Sequence, residues 1–161
     1  MRAVLKLLAF GYRLPLAALF GAQLFFAAVA APTAFTREIA ALPSGHPLKN
    51  AAAILVGRQL GSLDRMALAF AALAVLCAVL LARQGITSAL RAALPPLLIG
   101  LCAAASTALV TPAIQALREQ GGTGTPLFGR LHALSTALVA VEMLLGGLAL
   151  WRAPAAPMQE R

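Results

Sequence analysis

Long apolar segments separated by short polar ones dominate the pattern of this sequence. Four of the apolar segments have about 20 to 25 residues, which is enough for an α-helix to cross the roughly 30 Å hydrocarbon core of a bilayer. They cover residues about 14–35, 64–83, 94–117 and 127–151. The sequence therefore predicts an all-α fold, a four-helix transmembrane bundle that forms one membrane domain over residues 1–152.

The polar segments predict how the spans are joined. We expect residues 3–12 to form an approach helix on the membrane surface and residues 37–49 to form the longest loop. The helical pattern of the second span starts at about residue 51, so its first turns, which contain Asp64, are expected at the interface or outside the membrane. Pro112 predicts a bend in the third span. Residues 153–161 predict a loose tail.

Composition supports a membrane protein and argues against other classes. The chain is 61% hydrophobic and 11% charged, whereas soluble domains have about 45–50% apolar and about 25% charged residues. The net charge of +8 does not predict nucleic-acid binding, because the basic residues flank the apolar spans singly, as membrane anchors do. The apolar run that starts at Leu14 is longer than the core of a signal peptide, so we interpret it as a retained span.

Two further patterns concern packing and symmetry. Small residues recur at four-residue spacing, which is typical of closely packed membrane helices. Similar short motifs also occur twice: Pro32 and Pro112 near the ends of spans one and three, and Gly57-Arg58 and Gly129-Arg130 near the starts of spans two and four. One interpretation is two pseudo-repeated helical hairpins related by an axis along the membrane normal; chance similarity is the other.

The fourth span carries a polar seam. His132, Ser135, Val139, Glu142 and Gly146 share one helix face by their three- and four-residue spacing. A charged acid at mid-membrane costs about 2.5–3.5 kcal/mol on insertion scales, so Glu142 is expected to face the bundle and to be protonated or paired. It predicts either a proton or ligand site, or a neutral carboxyl bonded to a neighbouring helix.

The ends of spans one and three meet the starts of spans two and four on the side of the first and third loops. The candidate ligand-binding residues on this side or below it are Pro32, Phe35, Asp64, Phe128, His132, Ser135 and Glu142. For His132 a structural role is the alternative, and for Asp64 it is an interfacial ion pair with Arg65 or a cap. Cys77 and Cys102 have no CxxC spacing and are interpreted as packing residues. No cofactor or metal motif is present, and an enzyme is the less favoured class.

These motifs resemble a known family. Pro32-x-x-Phe35, Pro112 with Arg118, and Phe128-x-x-x-His132-x-x-Ser135 are similar to those of the bacterial four-span proteins of domain of unknown function 4149, which are related to eukaryotic transmembrane protein 205. The resemblance implies a four-helix integral membrane protein without an assigned reaction, whose matching positions here are Pro32, Phe35, Phe128, His132 and Ser135. Val139 stands where the eukaryotic relatives carry an amide, and Glu142 has no match.

Two functions follow as hypotheses. The first is a small membrane protein that binds or passes a small solute or ion at the polar cleft. The second is a structural or accessory subunit that contacts another membrane protein or a second copy of this chain. Seven basic residues lie on the side of the termini and six on the other, which favours both termini inside a bacterial cytoplasmic (inner) membrane.

Overall fold

The computed structural model describes residues 2–43 and 45–154 and confirms the all-α fold. The elements within these ranges, with two π-helical segments and one 3-10 turn, are α1 Arg2–Phe25, π Phe26–Ala30, α2 Ala31–Ala34, α3 Arg37–Ala41, α4 Pro47–Arg83, α5 Ser88–Ala92, α6 Leu94–Ala105, π Ser106–Val110, α7 Thr111–Glu119, 3-10 Gly122–Gly124 and α8 Pro126–Trp151. Four helical units are long and apolar enough to cross a membrane; they are span one Arg2–Ala34, span two Pro47–Arg83, span three Ser88–Glu119 and span four Pro126–Trp151.

The four spans form a ring around one core. Spans one and three each pack against both spans two and four. The core is built largely from alanine, and at Gly100 an added Cβ would lie 3.5 Å from the Cβ of Ala71. Small residues at four-residue spacing therefore allow spans two and three to pack closely, and Ala67 and Ala71 are buried in this contact. The other small residues with this spacing face outward: Ala17, Gly21, Ala104, Ala108, Ala133 and Ala137.

Hydrogen bonds from the first span join Ala92 and the last described residue, Pro154, on one side of the ring. The Tyr12 hydroxyl donates to the carbonyl of Ala92 at 2.7 Å, and Arg13 donates to the carbonyl of Pro154 at 2.9 Å. The expectation of an approach helix at residues 3–12 is wrong, because these residues belong to the continuous helix α1. Leu5 and Ala9 of this segment are buried against the bundle. Most of the predicted tail, from residue 155 onward, lies outside the described residues.

The segment 37–49 contains more helix than expected. Thr36 caps the short helix α3 by accepting from the backbone N–H of Ile39, and the Lys49 ammonium donates to the carbonyls of Ala40 and Leu42 at the other end. His46 caps α4, so span two starts at Pro47. The prediction of one long loop is wrong, because polar side chains satisfy the free backbone groups of both helix ends.

Spans one and three each contain a π-helical segment that ends two residues before a proline. The backbone N–H of Ala31 bonds to the carbonyl of Phe26, and that of Thr111 bonds to the carbonyl of Ser106, so each bond spans five residues. Proline lacks an N–H and crowds the preceding turn, and the wider π turn accommodates this. Both spans therefore have the same local distortion, a π-helical segment, shortly before Pro32 and Pro112.

The Gly100 contact generates a stability prediction. We expect Gly100→Leu to lower the stability of the detergent-solubilised protein by about 1–3 kcal/mol, because the larger side chain would force spans two and three apart. Gly100→Ala should be tolerated, since the added methyl makes an ordinary contact with Ala71. Gly21→Leu is the matched control, because nothing lies within 4 Å of a Cβ there. Thermal unfolding followed by size-exclusion chromatography measures the difference, and equal losses in the two leucine variants would contradict the packing argument.

Candidate functional site

A cavity of about 620 Å³ lies between the end of span one, the start of span two, the end of span three and the start of span four. Apolar and aromatic surface forms most of its wall, and the polar side chains on the wall come from spans two, three and four and from the loop between spans three and four. Its principal lining residues are Phe35, Lys49, Asn50, Arg118, Phe128 and His132. We call this cavity the cleft.

Three side chains of the cleft stack in a row. Phe128 and His132 are four residues apart on α8, so they share a helix face, and their rings are 6.2 Å apart and nearly parallel at 7°. The Arg118 guanidinium lies 5.8 Å from the centre of the Phe128 ring. Thr125 fixes the start of α8 by accepting from the N–H of Phe128. The Phe128 ring is therefore in contact with both the cation of Arg118 and the imidazole of His132.

Arg118 is held against span two with part of its donor capacity unused. One terminal nitrogen donates to the carbonyl of Ala53 at 3.2 Å and lies 3.0 Å from where a Cβ would stand on Gly57. The absence of a side chain at Gly57 therefore allows this approach. The Nε of Arg118 is buried and has no hydrogen-bond partner among the described residues. Of the described residues that line the cleft, none is acidic.

The structure divides the predicted ligand-binding residues into two groups. Phe35, Phe128 and His132 line the cleft, whereas Pro32 lies one turn away in α2. The other three predicted residues, Ser135, Asp64 and Glu142, are buried elsewhere in the bundle. The sequence analysis named Arg118 among the family motifs but did not select it as a ligand residue; its position at the end of span three, on the side where Phe35 and Phe128 also lie, was the available signal.

A second polar group lies in the middle of the bundle, and each span contributes one of its members. The amide of Gln23 donates to Oε2 of Glu142 at 2.6 Å, and the hydroxyl of Ser106 donates to Oδ2 of Asp64 at 2.7 Å. The Asp64 and Glu142 carboxyls are close enough to interact electrostatically. We call these four residues the central cluster, and each is no more than 2% exposed.

The central cluster lies about halfway along the spans. Gln23 is eleven residues after Tyr12, which packs at the terminal side, and twelve before Phe35 at the cleft. Ser106 is fourteen residues after Ala92 and twelve before Arg118. At 1.5 Å per residue both are about 16–21 Å from either level, which is near the middle of a bilayer core.

The expected placement of Asp64 at the interface is therefore wrong. Asp64 is 1% exposed and bonds to span three, whereas the neighbouring Arg65 is exposed and donates to Ser62 on its own helix. Asp64 forms no interfacial pair with Arg65. The inward position of Glu142 and the burial of Gln23 against protein agree with the cost of leaving polar groups in lipid.

Within the described residues, no group of three or more His, Cys, Asp and Glu side chains is arranged to hold a metal ion. Comparisons with protein-family models, curated proteins and solved structures gave no match. The resemblance drawn from the short sequence motifs stays a prediction.

The different exposure of His132 and Ser135 predicts how fast a cysteine at each position reacts with a thiol reagent. In a background lacking Cys77 and Cys102, we expect His132→Cys to react rapidly with a water-soluble thiol reagent, because His132 is exposed and lines the cleft. Ser135→Cys should be protected, because Ser135 is 3% exposed. Ala133→Cys, on the outer face next to His132, is the control for general exposure at this depth. Equal labelling of residues 132 and 135 would contradict the described orientation of span four.

Proposed function

We propose that the cleft binds a small amphipathic anion, a molecule with one carboxylate or phosphate group and a compact apolar body. The observation that carries the proposal is Arg118 itself, a cation on the wall of a cleft whose described lining contains no acid. Its Nε has no hydrogen-bond partner among the described residues, so its donor capacity is not fully used by the protein. A guanidinium recognises carboxylate and phosphate oxygens through two parallel hydrogen bonds.

The rest of the wall is suited to the apolar part of such a ligand. Phe35 and Phe128 offer aromatic surface, and His132 adds a ring nitrogen at the edge of the stack. Lys49 contributes positive charge although its ammonium already binds two carbonyls. A concave, mainly apolar site with a few polar groups is the usual form of a small-molecule site.

A structural or accessory role is the alternative function. It is favoured by the outward-facing small residues of spans one and four, Ala17, Gly21, Ala133 and Ala137, since such surfaces associate closely with other helices in lipid. Disulfide cross-linking of Ala137→Cys in native membranes, with Leu144→Cys as an exposed control on the same span, tests this role. Cross-linking specific to residue 137 would favour it.

We also propose a location. The resemblance to a bacterial family and the excess of basic residues on the terminal side, seven against six, support the bacterial cytoplasmic (inner) membrane with both termini inside. The cleft would then open toward the outer side of that membrane. A solute bound there would come from the periplasmic side or from the outer leaflet.

Substitution of Arg118 tests the proposed ligand. We expect Arg118→Gln to weaken the binding of octanoate by about 10- to 100-fold, because a hydrogen bond to a charged group contributes about 1.5–3 kcal/mol. Calorimetry on the protein in zwitterionic nanodiscs measures this. Arg130→Gln is the matched control, since it removes the same charge outside the cleft.

Two further arms identify the source and sign of the ligand. Octylamine, a cation of similar size, should not bind to the native protein. Replacing part of the nanodisc lipid with phosphatidylglycerol should compete with octanoate if the anion is a lipid headgroup, and should have no effect if it is a free solute. Equal weakening by Arg118→Gln and Arg130→Gln, or binding of octylamine, would contradict the proposal.

A further inference from the structure

We propose that the central cluster, formed by Gln23, Asp64, Ser106 and Glu142, is a proton-binding site inside the membrane that takes up and releases one proton. It is separate from the cleft, because none of its four residues lines that cavity. The inference therefore does not rest on the anion-binding function. In the reaction, an O–H bond of a hydronium ion breaks and leaves water, and the proton forms an O–H bond with a carboxylate oxygen of the pair; the reverse step returns the proton to water.

The hydrogen bonds show how each acid is held. One oxygen of each carboxyl accepts from a neutral donor on an adjacent span, at 2.6 Å for Glu142 and 2.7 Å for Asp64. These donors fix the orientation of the carboxyls but do not neutralise them. The second oxygen of Glu142, Oε1, is buried and has no hydrogen-bond partner among the described residues. It is the free position at which a proton can be added.

The charges around the pair leave it without a basic partner. The titratable and polar groups that face it are Cys102 and Ser106 on span three, Gln23 on span one, and each acid for the other. Among the described buried polar side chains there is no Lys, Arg or His. Tyr12 on span one is committed to backbone carbonyls at the terminal side.

Two carboxylates that are both buried and near enough to interact electrostatically are not readily ionised together in a low-dielectric interior without a compensating positive charge. A proton shared by the pair supplies that charge, and the two acids then titrate as one unit. A metal ion is less suited, because the cluster offers only two acidic side chains, and within the described residues no group of three or more His, Cys, Asp and Glu side chains is arranged to hold one. The proton is therefore the cation that fits this cluster.

The proposal is tested with dicyclohexylcarbodiimide, an apolar reagent that modifies protonated carboxyls in membranes. Native protein in zwitterionic nanodiscs is treated over a range of about pH 5 to 9, and the modified residues are identified by peptide mass spectrometry. We expect modification at Asp64 or Glu142 that falls with rising pH along one titration curve. Replacing sodium chloride with choline chloride at constant pH should not change it.

Variants separate the pair from its surroundings. Glu142→Gln removes the neighbouring charge, so modification of Asp64 should decline at lower pH than in the native protein. Ser135→Ala is the matched control, since Ser135 is equally buried on the same seam but does not bond to either acid. Octanoate binding should be unchanged in Glu142→Gln, which distinguishes failure of this site from failure of the cleft.

Infrared spectroscopy detects protonated carboxyls directly, so it tests the proposal even if dicyclohexylcarbodiimide cannot reach the buried cluster. A carbonyl band of a protonated carboxylic acid should appear on lowering the pH and should be altered in Asp64→Asn and Glu142→Gln. Protection from the reagent by sodium would overturn the proposal in favour of a metal cation. The absence of any such pH-dependent band, or a band unaffected by both substitutions, would overturn it altogether.

Discussion

The arrangement of the bundle depends on one constraint, that polar groups at mid-membrane must find partners within the protein. The carboxyls of Asp64 and Glu142 would each be costly in lipid, and each is directed inward to a donor on a neighbouring span. Because the donors come from spans one and three and the acids from spans two and four, these bonds fix the rotation of all four helices. The alanine-rich contacts then bring the backbones close enough for short side chains to meet.

The sequence predicted those parts of the fold that depend on hydropathy and on the cost of burying charge. The four spans follow from length and composition, and the inward face of Glu142 follows from its energy in lipid. The partner of Asp64 could not be predicted, because a serine such as Ser106 within an apolar helix carries no pattern of its own. Without that partner, Asp64 was assigned to the interface, where an unpaired acid is least costly.

The cleft shows a different limit of sequence reasoning. Phe35, Phe128 and His132 could be grouped because their spans meet on one side, but the unused donor of Arg118 depends on local geometry. Its approach to span two requires a residue without a side chain at Gly57. The sequence alone gives no sign that Gly57 and Arg118 are in contact. Pro112 likewise indicated a disturbance in span three, whereas the choice of a π turn over a kink depends on the packing around it.

The two distorted spans support the interpretation of the chain as a repeated hairpin. Each hairpin supplies a neutral donor from its first helix, Gln23 or Ser106, and an acid from its second, Asp64 or Glu142. The donor of one hairpin bonds to the acid of the other, so the two bonds follow the same pattern in opposite directions. A lone hairpin would leave its acid without this donor. The pairing therefore gives a physical reason for two such hairpins to associate, because each buried acid is then bonded to a donor from the other hairpin.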